Sequence, residues 1–198
     1  MFYRPENGHG LAHNPFNAII APRPIGWIST RGRLGDNLAP YSFFNATAYV
    51  PPQVMFASTN AKPDRPGTKD SVAQISESNV FCVNIAGGAM KDVMNASSAA
   101  LPAGVNEFEV AGLRAIPCET IDCPRVEGAA AALECRATRI IRLAGAANYM
   151  VLGVVSGIHL RDDLVRDGMF DLRPEGWLAR MGYKDYAIVT DLFQMERP

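Results

Sequence analysis

The chain has 198 residues, 48% of them hydrophobic, with 19 basic and 20 acidic residues and a net charge of -1. That balance supports a hydrophobic core in one sizeable domain or two small ones and excludes a disordered chain. It gives no electrostatic basis for binding nucleic acid or an anionic membrane surface, so any anion site has to be local.

In chain order, residues 1–16 carry Pro, Gly and Asn and read as an irregular arm, with residues 17–198 as one domain. The start lacks a basic stretch followed by an apolar run, so it does not read as a signal peptide. No apolar stretch reaches the length needed to span a bilayer, and a soluble cytoplasmic protein is the expectation. Residues 18–20 and 25–30 read as strand, with Pro22 and Pro24 marking an edge or bend because proline cannot donate to a ladder. Residues 31–36 read as a turn and 37–48 as a second strand, stopped by Val50-Pro51-Pro52.

Residues 53–59 form a short apolar strand, and 60–67, with Pro63, Pro66 and Gly67, a loop. Thr68 is the predicted N-cap of a helix through Val72, Ile75 and Ser76, with Asp70 favourable at its positive end. A strand over 79–85 and a helix over 89–99 follow, then a break at 101–105 and a helical turn at 108–113. Residues 114–121, 131–143 and 148–160 read as strands, the last two pairing across 144–147, and a final strand sits at 186–189. Many strands with few helices predict a mainly β, single-domain barrel rather than a doubly wound sheet.

Cys82, Cys118, Cys123 and Cys135 form no Cys-x-x-Cys pair, and no His follows at zinc-ligand spacing. They read as buried thiols of a reducing compartment, and no metal site is expected.

Two groups of residues suggest chemistry. Ser58-Thr59 ends a strand, and Thr68-Lys69 opens a helix whose free N–H groups and positive end suit a phosphate. Lys69 adds a full charge there, and Lys62 or Arg65 in the loop another. An ordinary capped helix uses the same residues, so this pattern alone does not decide. The second group is aromatic: Trp27, Tyr41, Phe43 and Phe44. Alternation puts Tyr41 and Phe43 on one face and Ser42 and Phe44 on the other. Aromatics also fill barrel cores, but Ser29, Thr30, Asn37, Ser42 and Asn45 add donors and acceptors that suit the polar edge of a flat flavin ring.

The runs Arg23-Pro24-Ile25-Gly26-Trp27-Ile28-Ser29-Thr30 and Asn37-Leu38-Ala39-Pro40-Tyr41-Ser42-Phe43-Phe44-Asn45 resemble the FMN-binding core of the flavin reductase-like family. Pro51-Pro52, Lys69-Asp70-Ser71, Phe81-Cys82-Val83-Asn84, Met94-Asn95-Ala96-Ser97 and Asn106-Glu107-Phe108-Glu109 follow in the same order, so the resemblance covers residues 18–160. It implies a homodimeric FMN-binding split β-barrel of Greek-key type, with FMN held non-covalently near the dimer interface. By that resemblance Ser29 and Thr30 contact the ribityl–phosphate tail, and Ala39, Pro40, Tyr41, Ser42 and Asn45 border the isoalloxazine. Ser58, Thr59, Thr68 and Lys69 complete the phosphate site, Trp27 sits against the ring system, and Asn95 and Ser97 approach from a nearby loop. Ser71 stands where Thr is more usual, which keeps the hydroxyl, and the 62–67 loop is longer and richer in proline than the family pattern.

The implied reaction is hydride transfer from NAD(P)H to flavin N5, which requires no strong acid or base. His159, near a strand end, either contacts the nicotinamide or flavin or is a hydrogen-bonded structural residue. The same pocket would serve an FMN-binding electron carrier without NAD(P)H activity, and a non-catalytic dimeric barrel for another ligand also fits the strands. The acceptor stays open among free flavin, an oxygenase or redox-protein partner, a metal complex and a quinone. Gly-x-Gly-x-x-Gly, His-Glu-x-x-His and Gly-x-Ser-x-Gly are absent, which argues against Rossmann, zincin and α/β-hydrolase chemistry.

Overall fold

The computed structural model describes residues 1–62 and 67–197; Arg65, Pro63 and Pro66 of the predicted loop lie outside the described residues. After a 3-10 turn at Pro5–Asn7 come α1 (Phe16–Ile19), β1 (Arg23–Pro24), β2 (Gly26–Gly32), β3 (Gly35–Tyr41), β4 (Phe44–Tyr49) and β5 (Pro52–Ser58). Then follow α2 (Asp70–Ser78), β6 (Val80–Ile85), α3 (Lys91–Ala96), α4 (Glu107–Val110), β7 (Ala115–Pro117) and β8 (Pro124–Val126). The long strands β9 (Ala131–Arg142) and β10 (Tyr149–Leu160) precede β11 (Val165–Arg166), β12 (Met169–Phe170), β13 (Trp177–Arg180) and β14 (Tyr186–Val189).

Several elements differ from the sequence expectation for identifiable reasons. Residues 18–20 are not strand: the Pro15 carbonyl accepts from Ala18 and Ile19 N–H and starts the short helix α1. Residues 31–36 are mostly ladder, since Arg31 pairs Asp36 and Gly32 pairs Gly35 around a two-residue tip. Gly35 turns the chain there at φ 98°, a conformation that favours glycine. The predicted strand 37–48 is two strands, broken at Ser42-Phe43. Lys69, not Thr68, is the N-cap of α2, without a side-chain cap bond. Residues 114–121 give only the three-residue β7, which ends at Pro117.

Seven strands pair antiparallel in the order β3-β2-β6-β9-β10-β5-β4. Laid flat, the two outermost strands would stand about 29 Å apart at the usual strand spacing. Yet β3 and β4 are consecutive, and Ser42 and Phe43 between them span only about 10 Å even when extended. The sheet therefore curls until its edges meet at that corner, where Ala57 N–H donates to the Phe43 carbonyl at 2.7 Å. No ladder joins β3 to β4 among the described residues, so the barrel stays split along one seam. Register shifts at Leu152/Gly153 and Val155/Gly157 of β10 add the local twist such curling needs.

The barrel interior holds Ile28, Tyr41, Phe44, Val54, Phe56, Phe81, Val83, Cys135 and Val151, and α2 closes one end with Val72 and Ile75. Phe56 is central: its ring lies 4.8 Å from that of Tyr41 and 5.5 Å from that of Phe81. A second cluster of Ile25, Trp27, Leu38, Met94, Phe108, Val126 and Leu178 packs α3, α4, β8 and β13 on the outside of β2 and β3. Both faces of β2 are thus covered, so the period-two contrast of an ordinary barrel strand is missing there. Gly26 has no room for a side chain, because a Cβ would lie 2.8 Å from the Phe44 ring.

Phe56→Ala is expected to lower unfolding free energy by about 3–5 kcal/mol in urea denaturation, as for other buried Phe truncations. Phe193→Ala, at an 85% exposed position, is expected to stay within about 0.5 kcal/mol of the parent.

Candidate functional site

A cavity of about 260 Å³ opens between β3, the start of α2 and residues 97–100. One wall is cationic. Within α2 the first intrahelical bond runs from Ala73 N–H to the Lys69 carbonyl, which leaves the N–H groups of Ser71 and Val72 without an intrahelical partner. The Lys69 ammonium lies 6.0 Å from the Tyr41 ring centroid. Burial, and then the neighbouring Lys62, push its pKa below the ordinary lysine value. Lys62 is held by the Asp70 carboxylate at 2.5 Å and by the Leu101 carbonyl at 3.1 Å.

The floor is Ala39, Pro40 and Tyr41. The Tyr41 hydroxyl is buried and near the Ser58 and Ser71 hydroxyls, yet it closes a well-formed hydrogen bond with neither. Burial raises its pKa, so it stays a neutral donor. A buried hydroxyl without a partner costs about 1–3 kcal/mol, which a ligand oxygen at this spot would recover. Across the cavity, Ser97 donates to the Met94 carbonyl at 2.7 Å and accepts from Trp27 Nε1 at 2.8 Å. Buried Glu107 accepts the Leu38 N–H at 3.2 Å and so fixes α4 to β3.

A chain of buried polar side chains sets the helix against the strand. Asn37 Nδ2 donates to Ser71 Oγ at 3.0 Å and to Thr30 Oγ1 at 3.2 Å. Thr30 donates to Gln74 Oε1 at 2.6 Å, and Gln74 Nε2 donates to the Gly35 carbonyl at 3.0 Å. A neighbouring cleft of about 450 Å³ shares Asn37 and Asp70 and adds Asp36, Glu77 and Arg33; Arg33 is paired with Glu77 at 3.1 Å, which leaves an acidic surplus that disfavours a phosphate.

Of the residues singled out in the sequence, Ala39, Pro40, Tyr41, Lys69 and Ser97 line the cavity. Ser58 sits beside the Tyr41 hydroxyl, while Thr59 and Thr68 adjoin lining residues without lining the cavity themselves. Trp27, Ser29 and Thr30 have no exposed surface, because β2 is covered on both faces. Trp27 belongs to the outer core and reaches the site only through its bond to Ser97. Ser29 donates to the Pro124 carbonyl at 2.6 Å and accepts from Asn84 Nδ2 at 3.0 Å, so its hydroxyl is spoken for. Ser42 lies in the link between β3 and β4, outside the lining. Asn45 is exposed on the edge strand β4, its amide oxygen accepting from Ala46 N–H at 2.8 Å. Asn95 faces a different groove, with Lys184 and Tyr186. Asn37, noted in the sequence for its polar side chain, also lines the cavity, and so do Ser71, Ser98 and Glu107, which were not picked as binding residues although Ser71 and Glu107 stand within the quoted motifs.

His159 is also away from the cavity. Its Nε2 meets Glu134 Oε1 at 2.5 Å on the neighbouring strand. Glu134 is fully buried and accepts from Glu119 N–H at 2.7 Å and from the Thr120 N–H and hydroxyl, each at 2.6 Å. His159 therefore helps anchor the loop after β7 rather than a reacting ring. Burial alone would raise the Glu134 pKa. The Thr120 hydroxyl, the Glu119 N–H and His159 outweigh it and bring the pKa down to about 2. Among the described residues no group of His, Cys, Asp and Glu is placed to hold a metal, and no helix is long and apolar enough to cross a membrane.

A carboxylate with a depressed folded-state pKa contributes stability above its ordinary value of 4.5 and loses it as pH falls toward the folded value. Glu134→Gln is therefore expected to melt below the parent at pH 7, with the gap closing as pH is lowered toward about 2. A gap independent of pH would contradict the network.

The family model described as "Flavin reductase like domain" matches residues 20–174. An uncharacterised protein of Deinococcus radiodurans is 35% identical over 189 residues, covering 91% of this chain and 82% of the relative. The crystal structure of nitrilotriacetate monooxygenase component B from Bacillus cereus superposes with a TM-score of 0.85 at 27% identity, covering 95% of this chain and all of that one. A protein from Shewanella frigidimarina, described by its split barrel domain, gives a TM-score of 0.80 at 19% identity, covering 92% of this chain and 90% of that one.

Proposed function

The chain belongs to the flavin reductase like domain family, and on that premise we propose that it binds FMN in the cavity at the head of α2 and oxidises NAD(P)H. The observation that carries the reading is the buried, unpartnered Tyr41 hydroxyl in a cavity lined by Lys69 and by Ser71 of the first turn of α2. That donor set suits a phosphate dianion next to a polar chain and a flat ring. Bound there, FMN would supply the hydride-accepting redox chemistry, for which the protein itself needs no strong acid or base.

The protein's part is binding and orientation. Lys69 and the α2 N–H groups hold the phosphate, with Ser58, Thr59 and Thr68 adding support behind them. Tyr41 gives its hydroxyl to a ligand oxygen, and Ala39 and Pro40 present backbone and small side chains to the ring, with Ser42 and Asn45 farther along the same edge. Glu107 and Asn37 fix β3 and α2 so that these groups keep their spacing. His159 takes no part in hydride transfer on this reading, because Glu134 already engages it.

The likeness to a monooxygenase component supports an oxygenase partner as the electron acceptor. Tyr49 and Val50, exposed at 87% and 82% beside the barrel seam, support pairing with a second copy. A soluble cytoplasmic location fits the neutral charge and thiol content.

The test is an anaerobic absorption spectrum of the FMN-loaded protein before and after NADH or NADPH. Flavin bands that bleach are expected. Bands that persist with both donors would contradict the NAD(P)H reaction and leave an electron carrier; absence of flavin bands after FMN addition would contradict the cofactor itself. Lys69→Ala is expected to weaken FMN binding by about 10- to 100-fold, the usual loss for a charge-assisted bond.

A further inference from the structure

Three of the four cysteines, unrelated in sequence spacing, meet at one place on the outside of β6. Cys82 and Cys123 are buried together with Val80, Ile121 and Ala132, and half-buried Cys118 packs against them. The β7–β8 hairpin creates this meeting. Its register pairs Ala115 with Val126 and Pro117 with Pro124, so the next pair outward is Cys118 opposite Cys123. Cys118 N–H donates to the Cys123 carbonyl at 3.0 Å, which confirms the pairing. Residues opposed in this way have Cα atoms about 5.5 Å apart, inside the range of about 4.4–6.8 Å that a disulfide spans. Cys135 points instead into the barrel core.

We propose that Cys118 and Cys123 form a peroxide-reactive dithiol that closes reversibly to a disulfide. Cys118 is the attacking thiol, since it alone of the four is not fully buried. The neighbouring thiols of Cys123 and then Cys82 favour its thiolate, and Cys123, whose Sγ donates to the Ser29 carbonyl at 3.2 Å, is held as a thiol by its proximity to Cys118 and by burial. Glu134 and His159 face it with opposite effects, the carboxylate disfavouring the thiolate and the imidazole favouring it. The Cys118 sulfur attacks one oxygen of hydrogen peroxide, the O–O bond breaks and water leaves, giving a sulfenic acid. The Cys123 sulfur then attacks that sulfur and expels the second water. Two thiols and one peroxide thus give one disulfide and two waters, and a dithiol reductant reverses the change. Cys82 is a poorer partner because it is fixed in the middle of the sheet, paired with both Ser29 and Glu134, whereas Cys118 and Cys123 close one short loop. The dithiol stands on this geometry and not on the flavin reading, so its test adds peroxide directly.

The intact protein would be exposed to hydrogen peroxide, cleared of excess peroxide with catalase, unfolded in guanidinium chloride with N-ethylmaleimide present and, after dilution, digested with trypsin without reduction. Cys118 and Cys123 share the tryptic peptide 115–125, while Cys82 lies in 70–91 and Cys135 in 126–136. The expected result is loss of two alkylated thiols per chain, with peptide 115–125 lighter by two hydrogens and restored by dithiothreitol. Cys123→Ser should leave Cys118 as a sulfenic acid captured by dimedone, and Cys118→Ser should leave Cys123 alkylatable after peroxide. Full alkylation of all four thiols after peroxide would overturn the proposal. So would a cross-link between peptides 115–125 and 70–91, or between two chains. The parent protein alone decides these outcomes if a variant fails to fold.

Discussion

Two residues impose the main constraint on this molecule. Ser42 and Phe43 join strands that sit at opposite ends of a seven-strand order, and no flat sheet can satisfy so short a link. Closure at that corner places Tyr41 at the barrel mouth, with its ring in the core, its hydroxyl buried near Ser58 and Ser71, and part of the residue lining the cavity. It also fixes Phe43, whose carbonyl accepts from β5 and whose ring lies 5.8 Å from the Arg23 guanidinium. Arg23 in turn donates to the carbonyls of Asn17, Ile20 and Met181, so one buried cation ties α1 and the segment after β13 to the corner.

The second requirement is a fixed position for α2. Its apolar face, Val72 and Ile75, plugs the barrel. Its polar side is tied through Ser71 and Gln74 to Asn37, Thr30 and the β2–β3 hairpin. Each such bond contributes only about 1 kcal/mol net, but breaking one strands a buried partner at greater cost. The helix N-terminus is thereby held at a set distance from Tyr41 and Ala39, which is what a phosphate-and-ring ligand requires.

Much of this architecture was legible in the sequence, and the exceptions share a cause. β5, β6, β9 and β10 followed from apolar and β-branched runs bounded by turn residues. The motif residues Ala39, Pro40, Tyr41, Lys69 and Ser97 do converge on one cavity. The break at Ser42-Phe43 was hidden because both flanking segments read as extended, and only the sheet order demands a corner there. Trp27 and Ser29 misled for a similar reason: their partners, Ser97 and Pro124, lie 70 and 95 residues away. A polar residue on a strand covered on both faces resembles a ligand contact until those partners are known. The three-residue apolar run at 18–20 suited helix or strand equally, and Pro15 decided it. The pairing of Cys118 with Cys123 required the hairpin register, which their spacing alone does not reveal.

On the proposed function the head of α2, with Lys69, is the phosphate-binding wall for a flavin nucleotide. Comparing the dissociation constants of FMN and riboflavin by quenching of flavin fluorescence tests it most directly, since the two ligands differ only in the phosphate. FMN is expected to bind tighter than riboflavin by at least about tenfold, a difference that shrinks as salt screens the half-exposed charges. Equal affinities would contradict it and move the flavin, if it binds, away from α2.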